Sequence, residues 1–149
     1  MPREVVSQGQ RRAVELFQSG ELALLASGAK FLGNIQTNAP GVAAVTEPRP
    51  PLTGTDGVAN VALMTLVVPR QSDNAADAVL FALFLTNGEN QARFAREALV
   101  LPSSTQALAA VRAELEAERP SDPGAAQIRE ARLLSAETCL LYTSPSPRD

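Results

Sequence analysis

Residues 58–102 read VANVALMTLVVPRQSDNAADAVLFALFLTNGENQARFAREALVLP, and this stretch sets the fold class. Residues 58–68 are rich in Val and Leu, with apolar side chains at successive positions. That pattern predicts the longest β-strand of the chain, one buried on both faces as in an α/β layer. Pro69 ends it, and Ser72-Asp73-Asn74 offers a helix N-cap. Residues 75–86 predict a helix with a wide apolar face, on which Phe81 and Phe84 are the large packing side chains. Asn87-Gly88 turns the chain. Residues 89–98 predict a second helix with Phe94 inward and Glu89, Arg93, Arg96 and Glu97 outward. Val100-Leu101-Pro102 stops it.

The flanks extend this alternation. Ala13, Val14, Leu16 and Phe17 form an apolar stripe on a helix over residues 10–18, and Gly20 is placed to take a left-handed cap. Residues 21–27 (ELALLAS) have helix propensity. The stop before them and Gly28 after them instead predict a short buried strand. A helix over residues 29–38 starts at Gly28, with Phe31, Leu32 and Ile35 on one face. Residues 42–46 (VAAVT) predict a second short strand. Residues 47–57, carrying Pro48, Pro50, Pro51, Gly54 and Gly57, predict a loop. Downstream, Ser103-Ser104-Thr105 caps an amphipathic helix over residues 106–119. Pro120 and Pro123 break the chain before a last helix over residues 125–138. The sum is an α/β lobe with several C-terminal helices.

Composition narrows the chemistry. The 149 residues carry a formal net charge of −3, enough chain for one domain and no basic stripe to track a phosphate backbone. Histidine is absent, and the one Cys and one Tyr both lie in residues 139–149. The commonest general base and the usual zinc ligands are therefore missing, and the carboxylates show no compact ligand spacing. No catalytic residue, metal site or cofactor is assigned. The last eleven residues, CLLYTSPSPRD, are similar to the translation of a transposon-based sequencing adapter. They are set aside as adapter-derived, which leaves one domain over residues 1–138. No apolar run is long enough to span a bilayer, and MPREVVSQGQRR lacks the apolar core of a signal peptide.

Several segments together resemble the C-terminal lobe of extracellular solute-binding proteins, family 1, the sugar-capturing receptors of ABC importers. Phe17-Gln18-Ser19-Gly20, residues 21–25 and Ser27-Gly28-Ala29-Lys30 follow the family's order of a glycine-ended helix, a strand and a glycine opening a ligand-facing helix. Asn60 to Pro69 resembles its crossing strand near the hinge. Leu85-Thr86-Asn87-Gly88-Glu89-Asn90-Gln91 resembles its helix–turn–helix tract. The resemblance implies a partial lobe of a periplasmic-binding-protein type II fold, covering most of residues 10–138. It implies ligand contacts at Gly28, Lys30, Phe31, Met64 and Thr65. The family often stacks a Trp on the sugar beside the helix-opening glycine. This chain has Gly28-Ala29-Lys30-Phe31 there, so Phe31 is the ring on offer, although its helical spacing also suits the core. Lys30 is equally a solvated charge, Met64 and Thr65 equally hinge packing, and Asn90 and Gln91 fit capping and packing of the second helix.

The resemblance also implies a mechanism. Two hinged lobes close on a solute, a carbohydrate in the nearest members, and the closed receptor delivers it to the permease subunits. It implies a truncated lobe whose strand over residues 58–68 exposes an edge. Full length, the protein would be a monomer, periplasmic or extracellular and membrane-anchored. Two other readings stay open: a fragment of an α/β enzyme, and a self-contained helical interaction module. Against the enzyme stand the missing His and the lack of a glycine-rich phosphate loop or a nucleophile elbow. Against the helical module stands the apolar run over residues 58–68.

Overall fold

The computed structural model describes residues 3–53, 55 and 63–143, with side chains described for residues 9–53, 55 and 63–138. Seven helices run in the order α1 (Arg3–Gln18), α2 (Ala29–Asn38), α3 (Pro40–Ala44), α4 (Ala75–Leu85), α5 (Gly88–Ala98), α6 (Thr105–Ala117) and α7 (Pro123–Thr143). Among the described residues there is no strand. The expected α/β lobe is thus a set of helices here. Two of the predicted strands, and the described part of the third, are not strands here, for separable reasons.

Residues 42–46 lose to Pro40. Its fixed φ suits the first position of a helix, so α3 starts there. Thr46 closes the turn by donating its hydroxyl to the Val42 carbonyl at 2.7 Å. Residues 21–27 run without regular structure, since no neighbouring strand lies among the described residues to pair with them. Only Leu22 and Leu25 pack, against the buried cluster of Phe17, Ile35 and Ala43. Of the longest predicted strand, residues 58–62 lie outside the described residues. Residues 63–68 are irregular, and no backbone hydrogen bond joins them to another described residue. Leu63, Met64 and Val67 are each at least three-quarters exposed. A run patterned for double-sided burial stands in solvent.

The helix boundaries follow their signals more closely. After α1, Glu21 N–H donates to the Leu16 carbonyl at 2.9 Å and Gly20 N–H to the Phe17 carbonyl at 3.0 Å. With Gly20 at φ 80°, this is the paired bonding of a glycine C-cap. Asn87 accepts from the Asn90 backbone N–H at 2.8 Å and Ser104 from that of Ala107 at 3.4 Å, capping α5 and α6. Asp122 accepts from Ala125 N–H at 2.8 Å ahead of Pro123, so α7 begins two residues earlier than predicted.

Packing is sequential: α4 meets α5, α5 meets α6, α6 meets α7, and α7 meets α2, which holds α3. Ala92, Ala95, Ala107, Val111 and Leu115 form the α5–α6 core, with Leu133 of α7 against it. The small side chains let the two helix backbones approach closely. Phe94, expected inward, is more than half exposed. The frame that points Ala92 and Ala95 at α6 turns position 94 away.

Candidate functional site

Two grooves are candidates. The first lies between α1 and α2, and two local signals position its walls. The Gly20 cap stops α1, and extended backbone at Gly28 (φ −88°, ψ 165°) starts α2 without a side-chain cap. The groove measures about 490 Å³ and is lined by Gln10, Arg11, Val14, Glu15 and Gln18 of α1 and by Phe31, Asn34 and Asn38 of α2. Glu15 accepts from the Arg12 guanidinium at 3.2 Å and pairs with Arg11 at 3.8 Å. Side-chain amides at four positions, one guanidinium, one carboxylate and one phenyl ring therefore face a single open cleft. That mixture, many hydrogen-bonding groups and a ring, is the chemistry a polar ring-shaped solute demands.

The five residues assigned from sequence do not converge. Phe31 is half-buried and lines this groove. Gly28 sits at the exposed start of α2 with open space beside its α-carbon. Lys30 is exposed on α2 and outside the groove lining. Met64 and Thr65 stand exposed on the irregular segment and line neither groove. Sequence reading passed over Gln10, Gln18, Asn34 and Asn38. Their periodicity was the available signal, since 31, 34 and 38 recur on one face of α2.

The second groove, about 440 Å³, is lined by Arg96, Val111, Glu114, Leu115, Ala117, Glu118 and Arg132. Arg96 and Glu114 pair across it in two contacts, at 2.5 and 2.7 Å. The pairing raises the Arg96 pKa and lowers that of Glu114, the hydrogen bond being the main cause in each. Arg132 is buried; its Nη2 donates to the Ala95 carbonyl at 3.1 Å while its Nε has no partner. Burial pulls its pKa down, opposed by the charges of Glu118 and Glu114. Glu118 and Glu114 offset only part of that burial, and the Arg96–Glu114 pair closes across the groove, so the groove reads as structural.

Behind the first groove, a glutamine pair fixes α2. Gln36 Nε2 donates to the Gly124 carbonyl at 2.9 Å and to Gln127 Oε1 at 3.1 Å. Gln127 Nε2 donates in turn to the carbonyls of Ala43 and Thr46 at 2.8 and 2.5 Å. The cleft wall is thereby tied to α3 and to the start of α7. Asn90 and Gln91 do the work of capping: Asn90 donates to the Phe84 carbonyl at 2.7 Å and Gln91 accepts from Ser103 N–H at 2.8 Å. Among the described residues no group of three or more His, Cys, Asp or Glu is placed to share a metal ion.

The family model of bacterial extracellular solute-binding proteins matches residues 2–125. The chain belongs to that family. The chain is also similar to two crystal structures from Synechococcus sp. MITs9220, both of a candidate oligosaccharide periplasmic-binding protein. One, in complex with zinc, is 80% identical over 92% of the present chain, with a TM-score of 0.88. The other is 77% identical over 97%, with a TM-score of 0.89. The chain spans only 34% and 36% of those two proteins. No curated protein matches it.

Proposed function

We propose that the chain is part of the receptor of an ABC importer, which captures an oligosaccharide between two lobes and delivers it to the permease. The single observation that carries this reading is the 80% identity, over 92% of the chain, to a candidate oligosaccharide periplasmic-binding protein. The α1–α2 groove supplies one wall of the cleft. Phe31 stacks on a sugar ring, and Gln10, Gln18, Asn34 and Asn38 hydrogen-bond to hydroxyls. Gly28 and Lys30 flank that wall, while Met64 and Thr65 reach the solute only from the hinge side. Contacts made solely in the closed form drive closure, by at most the difference in solute affinity between the open and closed states. The role is capture rather than turnover, so no catalytic residue is assigned. The working protein acts outside the cytoplasmic membrane, as a monomer whose remaining length supplies the opposing lobe.

The test uses a full-length chimera, this chain in place of the matching third of the Synechococcus protein. Thermal unfolding with a panel of oligosaccharides is expected to show a ligand-dependent rise in Tm for at least one member. Phe31→Ala lowers affinity for that member tenfold or more, since an aromatic contact of about 1.5 kcal/mol corresponds to roughly a factor of ten. A Tm unmoved across the panel would overturn the reading.

A further inference from the structure

The least expected surface of the chain is α4. Its sequence, AADAVLFALFL, holds one charged residue, Asp77, yet none of its side chains is buried. The exposed side chains are large: Leu80 65%, Phe81 61%, Leu83 61% and Phe84 59%. At 100° per residue, Val79, Leu80, Phe81, Leu83, Phe84 and Leu85 spread over roughly 240° of the helix circumference. The remaining arc carries Ala75, Ala78 and Ala82, the half-buried positions, and among the described residues α5 is the helix that meets α4. Asp77 falls within the wide arc, between Phe84 and Phe81; a helix otherwise apolar on every side belongs in an interior.

Three occupants compete for that surface. A bilayer is a poor one, because eleven residues span about 17 Å against a hydrocarbon core of about 30 Å. An interfacial helix would need a polar face, which α4 lacks. A second copy of the chain covers one side of a helix, not an arc of roughly 240°. Polypeptide continuous with the fold encloses a helix from several directions, and a large supply is accounted for: the chain spans 34% of the similar Synechococcus protein. The exposed segment of residues 63–68 leads into α4 through Pro69 and Asn74, so two apolar stretches consecutive in the chain both lack cover.

We infer that α4 is an interior helix of the full-length receptor, enclosed on its Leu80, Phe81, Leu83 and Phe84 side by the portion of polypeptide outside this chain. The inference rests on the packing and the chain length and is independent of which solute is bound.

The test compares the isolated 149-residue chain with the full-length chimera described above. Phe84→Cys is placed in both on a Cys139→Ser background, and maleimide labelling of residue 84 is followed by peptide mass spectrometry at micromolar protein. Labelling in the chimera is expected to be at least 100-fold slower than in the isolated chain. Hydrogen exchange of the α4 amides in the unsubstituted proteins is expected to slow in the same direction, and it reads the same enclosure without a mutation. Equal exchange rates for α4 in chain and chimera would overturn the inference. So would protection of residue 84 in a discrete dimer of the isolated chain, or on phosphatidylcholine vesicles, matching that in the chimera.

Discussion

Gln127 shows how single side chains hold the candidate cleft. Its amide satisfies two carbonyls, of Ala43 and Thr46, and meets Gln36 on α2. Gln127→Ala leaves those part-buried acceptors without their donor. It is expected to destabilise the chain by about 1–3 kcal/mol, read as a lower urea midpoint at unchanged m-value. Nothing local in the sequence announces this network, because its partners lie more than eighty positions apart. The caps at Gly20 and Ser104 were legible for the opposite reason: each acts on backbone within a few residues. Asp122 adds a pH dependence. Its pKa is lowered, first by the Ala125 backbone N–H and then by the Ser121 hydroxyl. A depressed carboxylate stabilises the fold above its unfolded pKa and loses that contribution as pH falls through the folded value. Urea unfolding from pH 6 down to pH 2 is expected to show a shallower acid-side loss for Asp122→Asn than for the parent chain.

The α5–α6 pair shows what helix periodicity can and cannot specify. Both helices, the Ser104 cap and the stop at Pro102 followed from local pattern. Which face turned inward did not, because Phe94 is the larger residue and Ala95 the buried one. Packing of the alanine face of α5 against Val111 and Leu115 of α6 leaves the phenyl ring outside, and that preference depends on the partner helix. Ala95 is fully buried against Val111 and its neighbours, so Ala95→Leu is expected to cost about 1–3 kcal/mol by overpacking. Phe94→Ala, at an exposed position, should change stability by less than about 0.5 kcal/mol. Thermal melts of the two variants side by side check the assignment. The strand predictions failed where a ladder was needed and no partner lay among the described residues. A strand's stability belongs to its pairing, whereas a helix closes its own hydrogen bonds.

As a molecule, the chain joins a well-made helical core to apolar surface that its described residues leave open. Leu63, Met64 and Val67 and the outer face of α4 are large apolar side chains that stand exposed, and extended exposed apolar surface marks an interaction or association site. The isolated chain is expected to self-associate above micromolar concentration, which sedimentation velocity across a concentration series would detect. A strictly monomeric species throughout would argue that this surface is satisfied locally. The family was legible from the order of breaks and helices. Of the groove proposed as the site, only Phe31 was among the residues assigned from sequence, because a wall assembled from amide side chains on two helices has no contiguous motif. The central claim is that this chain contributes a saccharide-binding wall to a larger receptor. Isothermal titration calorimetry of the full-length chimera against oligosaccharides, with and without Phe31→Ala, tests it most directly. The account predicts one-to-one binding by the parent chimera and at least tenfold weaker binding by the variant, with its fold intact. Equal affinities for parent and variant, or no saccharide binding by a folded parent, would contradict it.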